Sequence, residues 1–258
     1  MTLRSKIAML MAEFLGTAVL TTAVINISRS QIGIGYFVAI GVGLTLSVLA
    51  LGLVATSGAH FNPAITVGQW TIRKIGTLQA IAYIVVQFLG AIAAWRLNEY
   101  FTGTTLTNIA GKSFTWKVML AEVLGTFVFT FIIAAAIYQG YKGGKLAAAI
   151  GGGLFLGIIV STIASNGILN PAVALGAQSW GRGYIFGPII GAILGFNLYA
   201  LLFAPETPWA RASGVVRKTV VVPSTPAPAT AKASTTAKSS KTTKKAAKKP
   251  ARRSSKRS

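Results

Sequence analysis

Two stretches of this sequence decide its fold: Phe61-Asn62-Pro63-Ala64 and Leu169-Asn170-Pro171-Ala172. Each opens a short apolar segment, 61–72 or 169–180, which cannot cross a bilayer because a spanning helix needs roughly 20 residues. Proline suits the first turn of a helix, where its missing N–H is not needed, and the preceding Asn can cap the free amides. We therefore interpret both segments as half-helices. A helix end inside hydrocarbon is tolerated only beside protein or a water-filled cavity, so the pair predicts a pore.

Six longer apolar stretches surround the two half-helices. They lie at about 6–27, 34–56, 77–97, 116–138, 145–166 and 184–204. Only 11% of the residues are charged and 53% are hydrophobic, too little polarity to coat a soluble core. The first stretch carries Glu13 and leads into further spans, so we interpret it as a retained helix rather than a signal sequence. The sequence predicts an all-α membrane protein with six transmembrane helices and two re-entrant half-helices.

An internal repeat relates the two halves. Ala12-Glu13-Phe14-Leu15-Gly16-Thr17 recurs as Ala121-Glu122-Val123-Leu124-Gly125-Thr126, and the two Asn-Pro-Ala boxes recur at nearly the same spacing. Because three spans separate the copies, the second copy enters the membrane from the opposite side, which makes the repeat an inverted one. We assign the repeats to about 5–100 and 114–205, inside a channel domain of residues 1–210. Chance recurrence is disfavoured because two separate motifs repeat together.

These motifs resemble the aquaporin, or major intrinsic protein, family. The resemblance rests on both Asn-Pro-Ala boxes and both Ala-Glu-x-x-Gly-Thr units, and Gln87 with Gly90-Ala91 and Gly187-Pro188 with Gly191-Ala192 are similar to the family's third and sixth helices. It covers about 5–205. It implies an aquaporin-like right-handed helical bundle, usually a homotetramer with one pore per subunit, that acts as a passive channel and not as an enzyme.

The pore residues that we predict are the two boxes, Asn62-Pro63-Ala64 and Asn170-Pro171-Ala172. The Asn side-chain amides are expected to meet at mid-pore and donate hydrogen bonds to water. Two opposed half-helix N-termini place positive dipole ends at the same point, which repels cations. A role as helix caps alone is disfavoured, because an unpaired polar group in hydrocarbon costs several kcal/mol.

Two acidic residues, Glu13 and Glu122, lie deep inside spans, and such groups are candidate functional residues. The resemblance implies that these carboxylates support the pore loops by accepting amide hydrogen bonds. A proton relay is the alternative. We assign His60 and Gln87 to the same loop support. His60 is the single histidine and the chain has no cysteine, so we expect no metal site and no cofactor.

The sequence departs from the family just after its second box, where Val173 replaces the usual arginine. The family's four constriction positions fall at Val42, Ile158, Gly167 and Val173, an apolar set without an aromatic ring. We expect a wide constriction in which water finds few hydrogen-bonding partners. The lack of hydrogen-bonding partners favours slow passage of water, whereas the width favours passage of larger neutral solutes.

The substrate follows from the resemblance only in part. Ala174 stands where glycerol facilitators carry Asp, whereas Ile185 stands where water-selective members carry Trp. We predict water as the main substrate, with small uncharged solutes as further substrates, and a facilitator for glycerol-like solutes or gases as the alternative. Arg182 lies on the side of the missing arginine, but its spacing does not support a substitute role.

The charged residues concentrate in a C-terminal tail. Of the 25 Lys and Arg residues, 14 follow Glu206, and 211–258 is rich in Ala, Lys, Ser, Thr and Pro without an acid. This composition predicts a disordered tail that contacts anionic lipid or, less favoured, nucleic acid. The short loops carry six basic residues on one side and five on the other, so charge bias alone does not orient the chain. The family resemblance implies a multi-pass cell-membrane protein with both termini cytoplasmic.

Two further classes stay open as alternatives to a passive channel. A proton-coupled transporter needs an ionisable pair facing the lumen, for which the sequence offers only Glu13 and Glu122. A membrane-anchored nucleic-acid-binding protein would act through its tail. Cysteine-based chemistry is excluded outright.

Overall fold

The computed structural model of this protein describes residues 2–30, 35–111 and 113–204. Within these ranges the chain forms helices connected by turns and loops, without a strand. The helices are α1 (Leu3–Ser28), α2 (Gly35–Ser57), α3 (Pro63–Thr71), α4 (Thr77–Thr102), α5 (Trp116–Tyr138), α6 (Gly143–Ser161), α7 (Pro171–Gly176) and α8 (Arg182–Leu202).

Six of these helices are long and apolar enough to cross a membrane: α1, α2, α4, α5, α6 and α8. Their outer faces carry large exposed apolar side chains, among them Leu44, Val48 and Leu51 on α2. In water such faces would be unfavourable, but a lipid bilayer solvates them. The protein is therefore a multi-pass membrane protein, and the predicted fold class is confirmed.

The half-helices are shorter than the segments predicted from the sequence. α3 begins at Pro63 and α7 at Pro171, and α7 has only 6 residues. Both end in the same way, with a residue of positive φ two positions after the last helical one: Arg73 (φ 58°) and Gln178 (φ 58°). This left-handed residue lets the following N–H bond back to the helix and close it.

The fifth span also ends earlier than predicted, at Ser161 rather than 166. The amides of Ala164 and Ser165 both donate to the Ser161 carbonyl, at 3.2 and 3.1 Å. These bonds turn the chain out of the helix and into the loop before α7. By contrast, α4 is longer than predicted. It ends at Thr102 rather than at about 97, and Gly103 in the left-handed conformation caps it.

The two halves pack with the same pattern and exchange their half-helices. In the first half α1 packs against α2 and α4, and in the second α5 packs against α6 and α8. However, α3 packs mainly on α8 of the other half, and α7 packs on α4. The N-terminal ends of α3 and α7 thereby meet between the halves, as an inverted repeat requires.

The halves also contact each other through α2 and α6, where the helices cross very closely. A Cβ atom built on Gly151 of α6 would collide with the Gly43 carbonyl of α2. Small residues at such a crossing let helices approach in lipid, where van der Waals contact drives helix association. The repeat boundaries at about 5–100 and 114–205, and the channel domain 1–210, stay predictions. The tail at 211–258 lies outside the described residues.

Candidate pore between the two Asn-Pro-Ala boxes

Asn62 and Asn170 cap the two half-helices. The Asn62 Oδ1 atom accepts from the Ala64 amide at 2.8 Å. The Asn170 Oδ1 atom accepts from the amides of Ala172 and Val173, at 3.0 and 3.3 Å. Both Asn residues have extended backbone, and the Pro that follows each of them is the first helical residue. The side-chain oxygens therefore cap the half-helices, and the side-chain amide nitrogens are left for other contacts.

The amide nitrogens cross-link the two loops. Asn62 Nδ2 donates to the Leu169 carbonyl and Asn170 Nδ2 donates to the Phe61 carbonyl, each at 2.9 Å. Because an amide NH₂ carries two hydrogens, each Asn keeps one N–H free of these bonds. Both residues line the same internal cavity. The boxes thus hold one another in place and offer two donors to whatever occupies that cavity.

Glu13 holds the first loop from behind. Its Oε1 accepts from the Ser57 hydroxyl (2.6 Å) and the His60 amide (3.0 Å). Its Oε2 accepts from the Phe61 amide (2.7 Å) and the Gln87 side-chain nitrogen (2.8 Å). The carboxylate is completely buried, where four hydrogen bonds offset the desolvation of a polar group.

Glu122 holds the second loop in the matching way. The Ser165 hydroxyl and the Ile168 amide donate to its Oε1 at 2.8 and 3.1 Å, and the Leu169 amide donates to its Oε2 at 2.8 Å. Glu122 is also completely buried. Neither Glu122 nor Glu13 lines the cavity between the boxes.

The loop backbone is bent where the carboxylates hold it. Phe61 and Leu169 have φ values of 46° and 54°, a left-handed conformation that costs a non-glycine residue about 1–2 kcal/mol. In each case the amide bonds to the carboxylate and the carbonyl bonds to the opposite Asn. These paired bonds stabilise the bend and aim the carbonyl away from the supporting helix.

His60 and Gln87 meet at a third residue, Thr66. The Thr66 hydroxyl lies 3.1 Å from His60 Nδ1 and accepts from Gln87 Nε2 at 3.0 Å. The His60 ring also packs edge-on against Tyr83, whose hydroxyl donates to the Ser57 carbonyl at 2.8 Å. Among the described residues, no three metal-ligating side chains come together. His60 and Gln87 thus contact loop residues, and sequence reasoning did not identify Thr66 and Tyr83.

The cavity between the boxes is narrow. The space open to the centre of a water-sized sphere is about 10 Å³, near the minimum of about 10–15 Å³ that holds one water. Its polar lining consists of His60, Asn62 and Asn170. Its apolar lining is Leu20, Val24, Val42, Leu46, Phe129, Leu154, Ile168 and Val173. Apart from Val42 and Val173, these apolar side chains could not be singled out from the sequence, because many similar residues occur in the same helices.

The four predicted constriction residues divide into two pairs. Val42 and Val173 face the cavity together with the Asn boxes. Ile158 and Gly167 lie against each other, since a Cβ on Gly167 would sit 3.1 Å from Ile158 Cγ2. All four residues are buried. Their joint action as a selectivity constriction stays a prediction.

A second pocket of about 270 Å³ adjoins the first loop on its other side. Gly58 and Ala59 line this pocket, whereas the next residue, His60, lines the central cavity. The loop therefore runs from one space into the other. Lys74 also lines the pocket, with its Nζ 4.7 Å from the centre of the Tyr138 ring.

This arrangement of exchanged half-helices agrees with a comparison of sequences. Residues 2–199 match the family described as Major intrinsic protein. The chain belongs to the major intrinsic protein family. The matched range includes both Asn-Pro-Ala boxes and both supporting glutamates.

Members of the major intrinsic protein family resemble this chain along most of its length. It is 33% identical to "Aquaporin AqpM" of Methanothermobacter thermautotrophicus, over 66% of this chain and 78% of that protein. It is 32% identical to "Glycerol uptake facilitator protein-like 6" of Lactiplantibacillus plantarum, over 71% and 93% of the two chains. The structure of the Plasmodium falciparum aquaglyceroporin superposes with a TM-score of 0.63 at 21% identity, covering 78% of this chain and 98% of that one. That similarity shows a shared fold.

Proposed function

We propose that this protein is a passive transmembrane channel that conducts water between Asn62 and Asn170. The observation that carries the proposal is the meeting of two Asn-capped half-helices at a cavity with room for about one water. A water there can accept a hydrogen bond from each free Asn N–H. Apolar side chains form most of the remaining lining, so the Asn residues fix its orientation.

The same geometry disfavours the passage of charge. The N-termini of α3 and α7 point their positive ends at the cavity, and its lining contains no carboxylate. A cation would therefore lose its hydration shell without gaining an anionic ligand. A water held by two donors also presents its hydrogens away from the centre, which interrupts proton hopping.

A proton-coupled transporter is less well supported. Such a protein needs ionisable groups that face the lumen. Glu13 accepts four hydrogen bonds and Glu122 accepts three, all from the loops or from Gln87. Both are turned away from the cavity, which favours a supporting role over proton transfer.

A facilitator for glycerol-like solutes is the second candidate. Val42 and Val173 give the cavity an apolar wall, and one relative is named as a glycerol uptake facilitator-like protein. A space of about 10 Å³ admits such a solute only if the surrounding side chains move. The narrow cavity therefore favours water.

We further propose that the channel is a homotetramer in the cell membrane with both termini in the cytoplasm. The family resemblance and the exposed apolar faces of the spans support this assignment. We assign 211–258 to contacts with anionic lipid, with nucleic acid as the alternative, because 14 of its residues are Lys or Arg and none is acidic. Deleting the tail should leave water flux per channel unchanged.

Stopped-flow light scattering on proteoliposomes tests the proposal by comparing water, glycerol and urea. The parent protein should accelerate water efflux without an ion gradient. Asn62→Leu and Asn170→Leu should each return water permeability to the level of protein-free liposomes. Asn98→Leu, at a partly exposed position near the end of α4 where the side chain makes only a 3.3 Å contact with Asn26, serves as the matched control and should conduct like the parent. Unchanged water flux through folded Asn62→Leu protein would refute a pore at this place.

A further inference from the structure

A larger pocket of about 650 Å³ lies away from the cavity between the boxes. It is formed by the loop between α4 and α5 and by the start of α8, and it shares no lining residue with the central cavity. Its walls include Ser113, Phe114, Thr115, Trp180, Arg182 and Tyr184. The pore function does not use this pocket.

Arg182 contributes an exposed positive charge to the pocket lining. Its guanidinium lies 5.4 Å from the centre of the Phe114 ring, and this cation–π contact orients it. Among the described residues the single ion pair joins Arg96 and Glu99, so no described carboxylate pairs with Arg182. Hydroxyl groups of Ser113 and Thr115 share the pocket. This combination suits an anion, and the planar guanidinium matches the oxygens of a phosphate.

An apolar stripe continues from Arg182 along α8. Phe186, Ile190 and Leu194 follow at intervals of four residues, and their side chains are exposed. The neighbouring face of α8 packs against α5 through Gly183 and Gly187. Within the described residues the stripe stays exposed, so it is open to bilayer lipid, and it runs along α8 from the pocket.

The pocket lies at the level of a membrane interface. Trp116 and Trp180 are both exposed near it, at the start of α5 and just before α8. Tryptophan is enriched where headgroups meet hydrocarbon, because its ring is apolar and its N–H is polar. A polar pocket at this depth, with an apolar stripe below it, has the two chemical parts of a phospholipid.

We propose that this pocket binds an anionic glycerophospholipid, with the phosphodiester on Arg182 and an acyl chain along Phe186, Ile190 and Leu194. An anionic headgroup fits better than one with an ammonium group, because none of the described lining residues is a carboxylate. A free phosphate would use the arginine but not the stripe. The lipid therefore accounts for both features.

Native mass spectrometry of the full-length protein tests this site with phosphatidylglycerol, phosphatidylcholine and inorganic phosphate as probes. Measurements at about 0.5 M salt suppress binding to the basic tail, which parent and variants share. The parent should bind phosphatidylglycerol more tightly than phosphatidylcholine. Arg182→Gln should weaken phosphatidylglycerol binding about tenfold through the loss of charge-assisted hydrogen bonds.

Lys117→Gln is the matched control, since it removes an equal charge from the exposed start of α5 without touching the pocket lining. It should change phosphatidylglycerol binding by less than about twofold. Arg182→Lys keeps the charge but loses the planar fork, so its binding should fall between those of the parent and Arg182→Gln. Equal phosphatidylglycerol binding by the parent and by either Arg182 variant would overturn the proposal. So would equal affinity for phosphatidylcholine, or displacement of the lipid by inorganic phosphate, which would indicate a site for free anions.

Discussion

The loop before α3 and the loop before α7 have nearly the same hydrogen bonds but different side chains. In both loops a serine hydroxyl and two backbone amides donate to a buried glutamate, and the Asn of each loop donates to the carbonyl that precedes the other Asn. The first loop adds Gln87 as a fourth donor to Glu13. In the second half Pro188 stands at the place of Gln87, three residues before the Gly-Ala pair of the last helix.

This difference shows which residues the loop geometry requires. Ser, Glu and Asn recur in both loops, so these three side chains form the hydrogen bonds that the two loops share. His60 and Thr66 are replaced by Ile168 and Ala174 at the matching positions. The first loop therefore has an additional polar contact between His60 and Thr66, whereas Ile168 and Ala174 belong to the apolar core. The cavity correspondingly has His60 on one side and Ile168 on the other.

Removing the glutamates is expected to have the largest effect. Glu13→Ala leaves four buried donors without an acceptor and Glu122→Ala leaves three, and each such donor costs about 1–3 kcal/mol. Both variants should give little monodisperse protein, and Glu13→Ala should be the worse. Size-exclusion yield and melting temperature measure this. A lower melting temperature for Glu122→Ala than for Glu13→Ala would contradict the prediction that the first loop depends more strongly on its glutamate.

Removing only the extra donor should have an intermediate effect. Gln87→Leu leaves Glu13 with three donors, as Glu122 has, and removes a partner of Thr66. The loss of a hydrogen bond to a charged group predicts a destabilisation of about 1.5–3 kcal/mol, measured as a lower melting temperature. Water permeability of the folded protein should persist. Gln139→Leu, which loses only a 3.5 Å contact to the Tyr199 hydroxyl, is the control and should change stability less. If both variants melt alike, Gln87 does not support the first loop.

A selectivity change should come from the residue after the second box. Val173→Arg places a guanidinium with five donors against the cavity, which narrows it for solutes while offering water a partner. We expect the glycerol-to-water permeability ratio to fall about tenfold, equivalent to about 1.4 kcal/mol. Ile65→Arg changes the matching residue of the first loop, which lines the other pocket, and should leave the ratio unchanged. Equal ratios in folded Val173→Arg and parent protein would locate selectivity elsewhere.

The smallest effects are expected at the third residue before each Asn. Ala59 and Gly167 both have positive φ, 53° and 65°. Ala59→Gly relieves that strain but adds freedom to the unfolded chain, so stability should change by less than about 1 kcal/mol. Gly167→Ala places a Cβ 3.1 Å from Ile158 Cγ2 and Ser161 Oγ, so it should lower the melting temperature more. Thermal melts of both variants check this, and a harmless Gly167→Ala would show that the second loop is not tightly packed.

Much of the fold could be predicted because its signals are local. Pro63 and Pro171 mark the half-helix starts, and apolar length marks the spans. The half-helix ends depended on the left-handed residues Arg73 and Gln178, which carry no clear sequence signal. Cavity-lining residues such as Leu20 and Phe129 could not be distinguished from other apolar residues of their helices. Which side of a helix faces the cavity depends on how all the helices pack, and that is a property of the whole bundle.

The central claim is that water passes through the cavity between the boxes. The chain has no cysteine, so a single introduced cysteine is the only thiol of each variant. In Val173→Cys this thiol lies on the wall of the central cavity. In Ile185→Cys it lies in the separate pocket beside Arg182. Stopped-flow measurements before and after a small mercurial, with labelling verified by mass, compare the two positions. We predict that labelled Val173→Cys loses its water permeability and that labelled Ile185→Cys keeps it. Undiminished water flux through labelled Val173→Cys protein, or failure of the reagent to reach Cys at this position, would contradict the claim.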